Sequence, residues 1–148
     1  MHHSFNRNTG TYSTDIQPDI FGIPKDTVRN VVLESGVRVV GTCAFLDCCN
    51  LRNVEFCPGI VEIEDYAFRN CGSIVTLELP DGLKHIGNGA FSGCAGLRNV
   101  HIPRSVRYIG HGAFTNCIRL KDVWLYEDCT VEHDAFDDMP VLHFIDME

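Results

Sequence analysis

The sequence lacks the features that would announce a reaction. It has no G-x-G-x-x-G and no phosphate-cradling loop of the Walker kind, which excludes the common nucleotide-binding fingerprints. No C-x-x-C pair occurs, and Cys43, Cys48, Cys49 and the distant Cys57 lack the spacing of a zinc site. No cofactor and no metal are therefore expected. Ser, His and Asp are present, but no spacing selects a nucleophilic triad, so no catalytic residues are expected and the chain reads as no enzyme. No apolar run approaches the roughly 20 residues that span a bilayer, which argues against membrane insertion. Met1 to Asn8 lack the apolar stretch of a secretory signal, so a cytoplasmic location is expected.

Basic charge is scarce as well. Twelve Lys and Arg face twenty Asp and Glu, a formal charge of −8, so nucleic acid is not an expected partner. From Asp122 to Glu148 there are nine acidic residues and no Lys or Arg, a run that suits a solubilising end or a basic partner. Trp124 is the single tryptophan.

What the sequence has in quantity is repetition. Ala-Phe recurs at Ala44-Phe45, Ala67-Phe68, Ala90-Phe91, Ala113-Phe114 and Ala135-Phe136, at spacings of 23, 23, 23 and 22 residues. Three residues after each Phe stands Cys48, Cys71, Cys94, Cys117 and finally Met139. Four of the eight cysteines thus share one column, where they should stack as a buried, reduced ladder with Met139 filling the last slot. The phenylalanines should form an aromatic spine.

Each copy holds two extended segments. Residues 28–33, 51–56, 74–79, 97–102 and 120–125 align as strands with one buried face, each pairing in parallel with the next copy. Residues 37–40, 60–63, 83–86 and 106–109 form a second set. Ala-Phe-x-x-Cys then suits one short helical turn, with Asn70, Gly93 or Asn116 at its end. Such a period, with apolar residues at fixed offsets, is the signature of a leucine-rich-repeat solenoid. The expectation is an α/β repeat solenoid, right-handed, of about five 23-residue rungs with parallel short strands and short helical turns. A flexible N-terminus and a cap around residues 19–24 take up residues 1–27. The repeat domain takes 28–148, and its irregular last rung, with Val141 to Ile145 as the final segment, is expected to be the C-terminal cap.

Gly87-Asn88-Gly89 and Gly110-His111-Gly112 fall inside the repeat frame as turns. His111 and His133 fall at equivalent positions in neighbouring rungs, where a pair of imidazoles could hold a metal or sense acid, although Thr42, Asp65 and Asn88 mark the column as a polar surface slot.

The frame leaves its variable strand positions facing outward. One stripe reads Asn30, Asn53, Thr76, Asn99, Asp122; the next reads Val32, Glu55, Glu78, His101, Trp124, with Tyr126 on the same face. A stripe at the strand entrance reads Arg29, Arg52, Val75, Arg98, Lys121. Trp and Tyr are favoured interface anchors. Arg52, Glu55, Glu78, Arg98, His101, Lys121, Trp124 and Tyr126 are therefore the candidate partner-binding residues. Trp124 has a second reading, packed under the C-terminal segment around Phe144.

The pattern Leu-x-x-Val-x-Leu-Pro-x-x-Leu-x-x-Ile-Gly-x-x-Ala-Phe-x-x-Cys, followed almost throughout by Ile74 to Cys94 and Leu97 to Cys117, resembles the BspA-like or treponemal-type leucine-rich repeat. The resemblance covers about residues 28–145. It implies a solenoid binding module without catalysis, of the kind found in bacterial surface adhesins and in many protist proteins. Bacterial surface members usually carry an export signal and attachment segments, which are not seen in this sequence. The expected function is a non-enzymatic module binding a protein partner through its strand face, as a monomer. The alternatives are a structural element that self-associates end to end, and a surface adhesin for a host or carbohydrate ligand.

Overall fold

The computed structural model describes residues 4–6, 11–13 and 24–146, the first two segments for their backbone alone. Strands β1 (Ser4–Asn6) and β2 (Thr11–Ser13) pair antiparallel, and β2 pairs in parallel with β3 (Asn30–Val32). The remainder of the N-terminal stretch expected to be mobile, and the cap expected at 19–24 apart from Pro24, lie outside the described residues. Each copy then supplies two strands. They are β3 with β4 (Val39–Val40), β5 (Asn53–Glu55) with β6 (Glu62–Ile63), β7 (Thr76–Leu77) with β8 (His85–Ile86), β9 (Asn99–His101) with β10 (Tyr108–Ile109), and β11 (Asp122–Tyr126) with β12 (Thr130–Val131). β13 (Val141–Ile145) follows.

The register repeats the period. Asn30 pairs with Asn53, Thr76 with Asn99, and Asn99 with Asp122, a step of 23 residues each time. The second segments form one five-stranded parallel sheet, β4-β6-β8-β10-β12. The molecule is thus a parallel β-solenoid of about five turns. On the principal face the ladder is interrupted once, between β5 and β7. Phe56 sits there in a column otherwise held by Leu33, Leu79, Ile102 and Leu125; those four are buried and Phe56 only half-buried, its ring edge-on to Phe68 at 6.0 Å. An oversized side chain in a Leu-sized slot, together with Glu55 facing Glu78 across the same step, accounts for the gap.

The expected helical turns are absent; the only helix among the described residues is a three-residue 3-10 turn at Lys25–Thr27. Ala-Phe-x-x-Cys is instead a chain of tight turns flanked by left-handed residues. Two residues before the Phe stand Cys43, Tyr66, Gly89 and Gly112 at φ of 58–63°, and two after it stand Asp47, Asn70, Gly93 and Asn116 at 58–77°. A left-handed residue cannot continue a right-handed helix. It turns the intervening amides toward the neighbouring rung. Phe45 N donates to Ala67 O, Phe68 N to Ala90 O and Phe91 N to Ala113 O, at 2.7–2.8 Å. The turn corner is therefore a third inter-rung ladder.

The core lies between these three ladders. Phe45, Phe68, Phe91, Phe114 and Phe136 stack as expected, with ring centroids 5.1–5.3 Å apart and planes within 17° of parallel. The cysteine column is buried too. Cys71, Cys94 and Cys117 each donate through Sγ to the carbonyl of a Phe 26 residues earlier, at 3.2 Å. A thiol fills the slot of a small hydrophobe and supplies a weak donor to a carbonyl that water cannot reach.

The last turn departs from the frame at two places. Gly112 N donates to Asp134 O as Gly89 N does to His111 O, while Phe114 N donates to Ala135 O as Phe91 N does to Ala113 O. The missing residue of the last copy therefore falls between Asp134 and Ala135, at the left-handed slot. The return is shortened as well, so that Asp122 pairs with Val141, a step of 19 residues rather than 23. Met139 consequently does not fill the cysteine column: it is swung outward and 82% exposed. Val141 to Ile145, the final segment of this last turn, is a further strand of the principal face, in parallel register with β11.

Candidate functional site

The principal strands place alternate residues inward and outward. Val31, Leu77, Val100 and Val123 point into the core, which leaves positions 30, 32 and their equivalents on the open face. Arg52, Glu55, Glu78, Arg98, His101 and Lys121 are all exposed, and Trp124 and Tyr126 are half-buried. Rung spacing brings these eight residues onto one side of the molecule.

The register of β13 adds a residue to the stripe that the sequence did not single out. His143 pairs with Trp124, so the row reads Glu55, Glu78, His101, Trp124, His143. His101 stacks on Trp124 at 4.3 Å with planes 5° apart, and His143 stacks on the other side at 4.9 Å and 15°. His143 Nε2 donates to Asp122 Oδ1 at 2.9 Å, which fixes the imidazole. Trp124 is thus an outward residue held between two imidazoles, with its ring edge toward solvent. Phe144 pairs with Leu125 rather than with Trp124 and is 55% exposed, so Trp124 does not pack under it. Beside the stack, Arg104 lies over the ring of Tyr126 at 6.0 Å.

Along the strand entrance, Arg29, Arg52, Val75, Arg98 and Lys121 form an exposed row. Backbone bonds from Arg98 N to Val75 O and from Lys121 N to Arg98 O carry the row from rung to rung. Arg119 and the apolar Ile118, Met139 and Val141 line the same depression as Arg98 and Lys121. Ile118 and Met139 are among the most exposed large apolar side chains described, at 76% and 82%.

The histidine pair resolves differently from its expected alignment. His111 stands level with Asp134, and its Nδ1 lies 2.9 Å from Asp134 Oδ1. Its ring is 6.2 Å from that of His133 and nearly perpendicular. The hydrogen bond from His111 holds the Asp134 carboxyl below its ordinary value. Glu132 lies 3.6 Å from the other His111 nitrogen and accepts from Tyr108 at 3.1 Å, and partial burial together with this bond pushes the Tyr108 phenol up. Among the described residues, no group of three or more His, Cys, Asp and Glu is placed to hold a metal ion. All eight cysteines stand as thiols. Burial pushes the Cys71 and Cys94 thiols far up and Cys117 to about 12, which keeps them as unreactive packing groups. No helix among the described residues is long and apolar enough to cross a membrane.

Comparison with known proteins agrees with this construction. The family model for the BspA-type leucine-rich repeat region matches residues 14–142 in six copies. No curated protein matches the chain. Among solved structures, a leucine-rich repeat protein from Bacteroides ovatus superposes with a TM-score of 0.75 at 31% identity, over 81% of this chain and 31% of its own. The T. pallidum leucine-rich repeat protein superposes at 0.66 and 24% identity, over 98% of this chain and 82% of its own. A leucine-rich cell surface protein from Faecalibacterium prausnitzii superposes at 0.74 and 21%, over 96% of this chain and 37% of its own. This chain thus spans about a third of the length of the first and third. Such repeat proteins are typically non-enzymatic modules of interaction or of the cell surface. With its period, its stacked phenylalanines and its parallel ladders in one frame, the chain belongs to the BspA-type leucine-rich repeat family.

Proposed function

We propose that the chain is a non-enzymatic protein-interaction module that binds a protein partner through the outward strand face of its solenoid. The observation carrying this reading is the row Glu55, Glu78, His101, Trp124, His143. Its members change from carboxylate to imidazole to indole along the row, while the inward columns beside them repeat the same apolar types. The frame is held by its inward columns and rung-on-rung contacts, so its outward residues are freer to be selected for contact. Arg52, Arg98 and Lys121 supply charge at one border of the face, and Tyr126 an aromatic edge at the other. The test is affinity capture from lysate of the source cell, comparing the natural protein with a Trp124→Ala, His101→Glu double variant. Recovery of the same partner by both baits would refute a strand-face site.

A second reading has its own observation. Val141, Phe144 and Ile145 on β13 are 56%, 55% and 36% exposed, an apolar surface suited to association with another copy. Sedimentation velocity across a concentration series separates the readings. Growth beyond a monomer that Phe144→Glu abolishes would favour end-to-end assembly. The Faecalibacterium protein is a cell surface protein by its own description, which leaves a surface ligand as a third reading.

A further inference from the structure

The chain is acidic as a whole, yet one edge of the strand face is basic. Arg52, Arg98, Arg119 and Lys121 are four of its twelve Lys and Arg, all exposed and all on the entrance side of the principal strands. Among the described residues, none of the four is in an ion pair; the Arg pair present is Arg107 with Asp128, on another side of the turn. The one acidic group lining this edge is Asp122, and it is engaged by His143.

This edge is also concave. Two depressions run along it and share Arg119: one lies between Arg52, Val75 and the Gly72–Ser73 corner, and the other between Arg98, Lys121, Ile118, Met139 and Val141. The floor is low because its residues are small. A Cβ on Gly96 would lie 2.5 Å from the carbonyl oxygen of Gly72, so no larger residue can raise it. Apolar side chains interrupt the cations along the groove: Val75 is 43% exposed, and Ile118, Met139 and Val141 are more so.

Resting on the strand-face reading, we infer that this groove receives an extended peptide of alternating acidic and apolar residues. Four rung steps separate Arg52 from Val141, which at about 4.8 Å each gives a groove of about 19 Å, the length of roughly six extended residues. Charge complementarity selects the acidic partner. Among the described residues the cations have no ion-pair partner to lose, so a bound carboxylate displaces water and counterions. The exposed aliphatic side chains select against a purely polyanionic ligand. A nucleic acid or a sulfated glycan would bury Ile118 and Met139 against charge and gain nothing from them. A peptide with apolar residues between its carboxylates satisfies both.

The test uses the whole chain and a fluorescein-labelled hexapeptide of alternating aspartate and leucine, read by fluorescence anisotropy. Saturable binding is expected that weakens tenfold or more in an Arg98→Glu, Lys121→Glu variant and weakens steadily with added salt. Replacing leucine by serine in the peptide should weaken binding at least severalfold. Both changed residues are exposed, and a melting curve matching that of the natural protein establishes that the fold is intact. Absence of binding, or binding indifferent to the charge reversal, overturns the proposal. So does equal binding of a single-stranded oligonucleotide or a heparin fragment, which would make the site a general polyanion groove. Self-association lost on Met139→Glu without peptide binding would assign the apolar half to a second copy and overturn it too. The Trp124→Ala, His101→Glu variant separates this proposal from the broader one. If peptide binding fails while captured partner is still lost with that variant, the groove falls and the strand face stands.

Discussion

Cys94 Sγ donates to the carbonyl oxygen of Phe68, 26 residues earlier, at 3.2 Å, and the same bond recurs from Cys71 to Phe45 and from Cys117 to Phe91. The cysteine column therefore both packs and ties each rung to the one before. Because these thiols are buried, their ionisation is suppressed in the folded state and not in the unfolded one. The sign follows directly: the folded state holds its protons more tightly, so stability is complete below the unfolded thiol value and falls as pH rises toward the folded one. For Cys117 that window runs from about 9 to about 12. Urea midpoints measured from pH 8 to 10.5 should fall, and Cys117→Ala should flatten the slope. An unchanged slope would show that the thiol is not sheltered.

Exposure also orders thiol reactivity. Cys49 is exposed and Cys71 and Cys94 are inaccessible. A maleimide added to folded protein should label Cys49 within minutes and leave Cys71 and Cys94 for the denatured chain, as read by peptide mass mapping.

The aromatic spine should be strongest in its middle. Phe91 is sandwiched between Phe68 and Phe114 at 5.3 and 5.2 Å, whereas Phe136 is half-buried with one ring neighbour. Phe91→Ala should cost about 3–5 kcal/mol and Phe136→Ala clearly less. Equal losses in chemical denaturation would contradict a mid-array stack.

Gly89 distinguishes a helix from a left-handed corner by the sign of one substitution. In a helix interior Gly→Ala stabilises by about 1 kcal/mol. Gly89 has φ +62°, and an added Cβ would meet the Tyr66 ring at 2.5 Å, so Gly89→Ala should destabilise instead. A higher midpoint for the variant would restore the helical reading.

Removing one imidazole should uncover the tryptophan. His143→Ala takes away one of the two rings stacked on Trp124 and should shift its emission to the red, with little loss of stability from a surface position. An unmoved spectrum would mean that His143 does not cover the indole in solution.

The path from sequence to fold was legible where spacing alone decides. A Phe every 23 residues, with apolar positions at fixed offsets, admits a stacked spine and parallel strands and little else. The turn corner was not legible from the same data, because an apolar residue three positions after another fits a helical turn and a chain of tight turns alike. The sign of φ at Cys43 and Tyr66 is invisible in those residue types; Gly89 and Gly112 in the same column are the signal for it. Met139 is misplaced by the frame, and His143 goes unassigned, for a different reason. A repeat frame carried past Asp134 and through the shortened return puts each residue one slot or more from its neighbour in space. The alternation Val141-Leu142-His143-Phe144-Ile145, set against Asp122 to Tyr126, marks a strand and would have placed His143 beside Trp124. Glu55, Glu78, His101, Trp124 and Tyr126 emerged together because a two-residue period assigns faces without reference to any partner, and Arg52, Arg98 and Lys121 because the 23-residue frame lines them up at the strand entrance. The groove at their border did not, since Ile118 and Arg119 lie in a tight return, closed from Leu120 N to Cys117 O as in the earlier copies, that the alternation of the strands assigns to no face.

The account stands or falls on where a partner touches the solenoid. A benzophenone side chain installed at position 101 on the strand face, and in a second protein at position 84 beside the other sheet, places a photo-cross-linker on each side of the molecule. Irradiation in lysate of the source cell should yield one discrete adduct from position 101 and none from position 84. An adduct from position 84 alone, or from neither, would contradict a partner bound on the strand face.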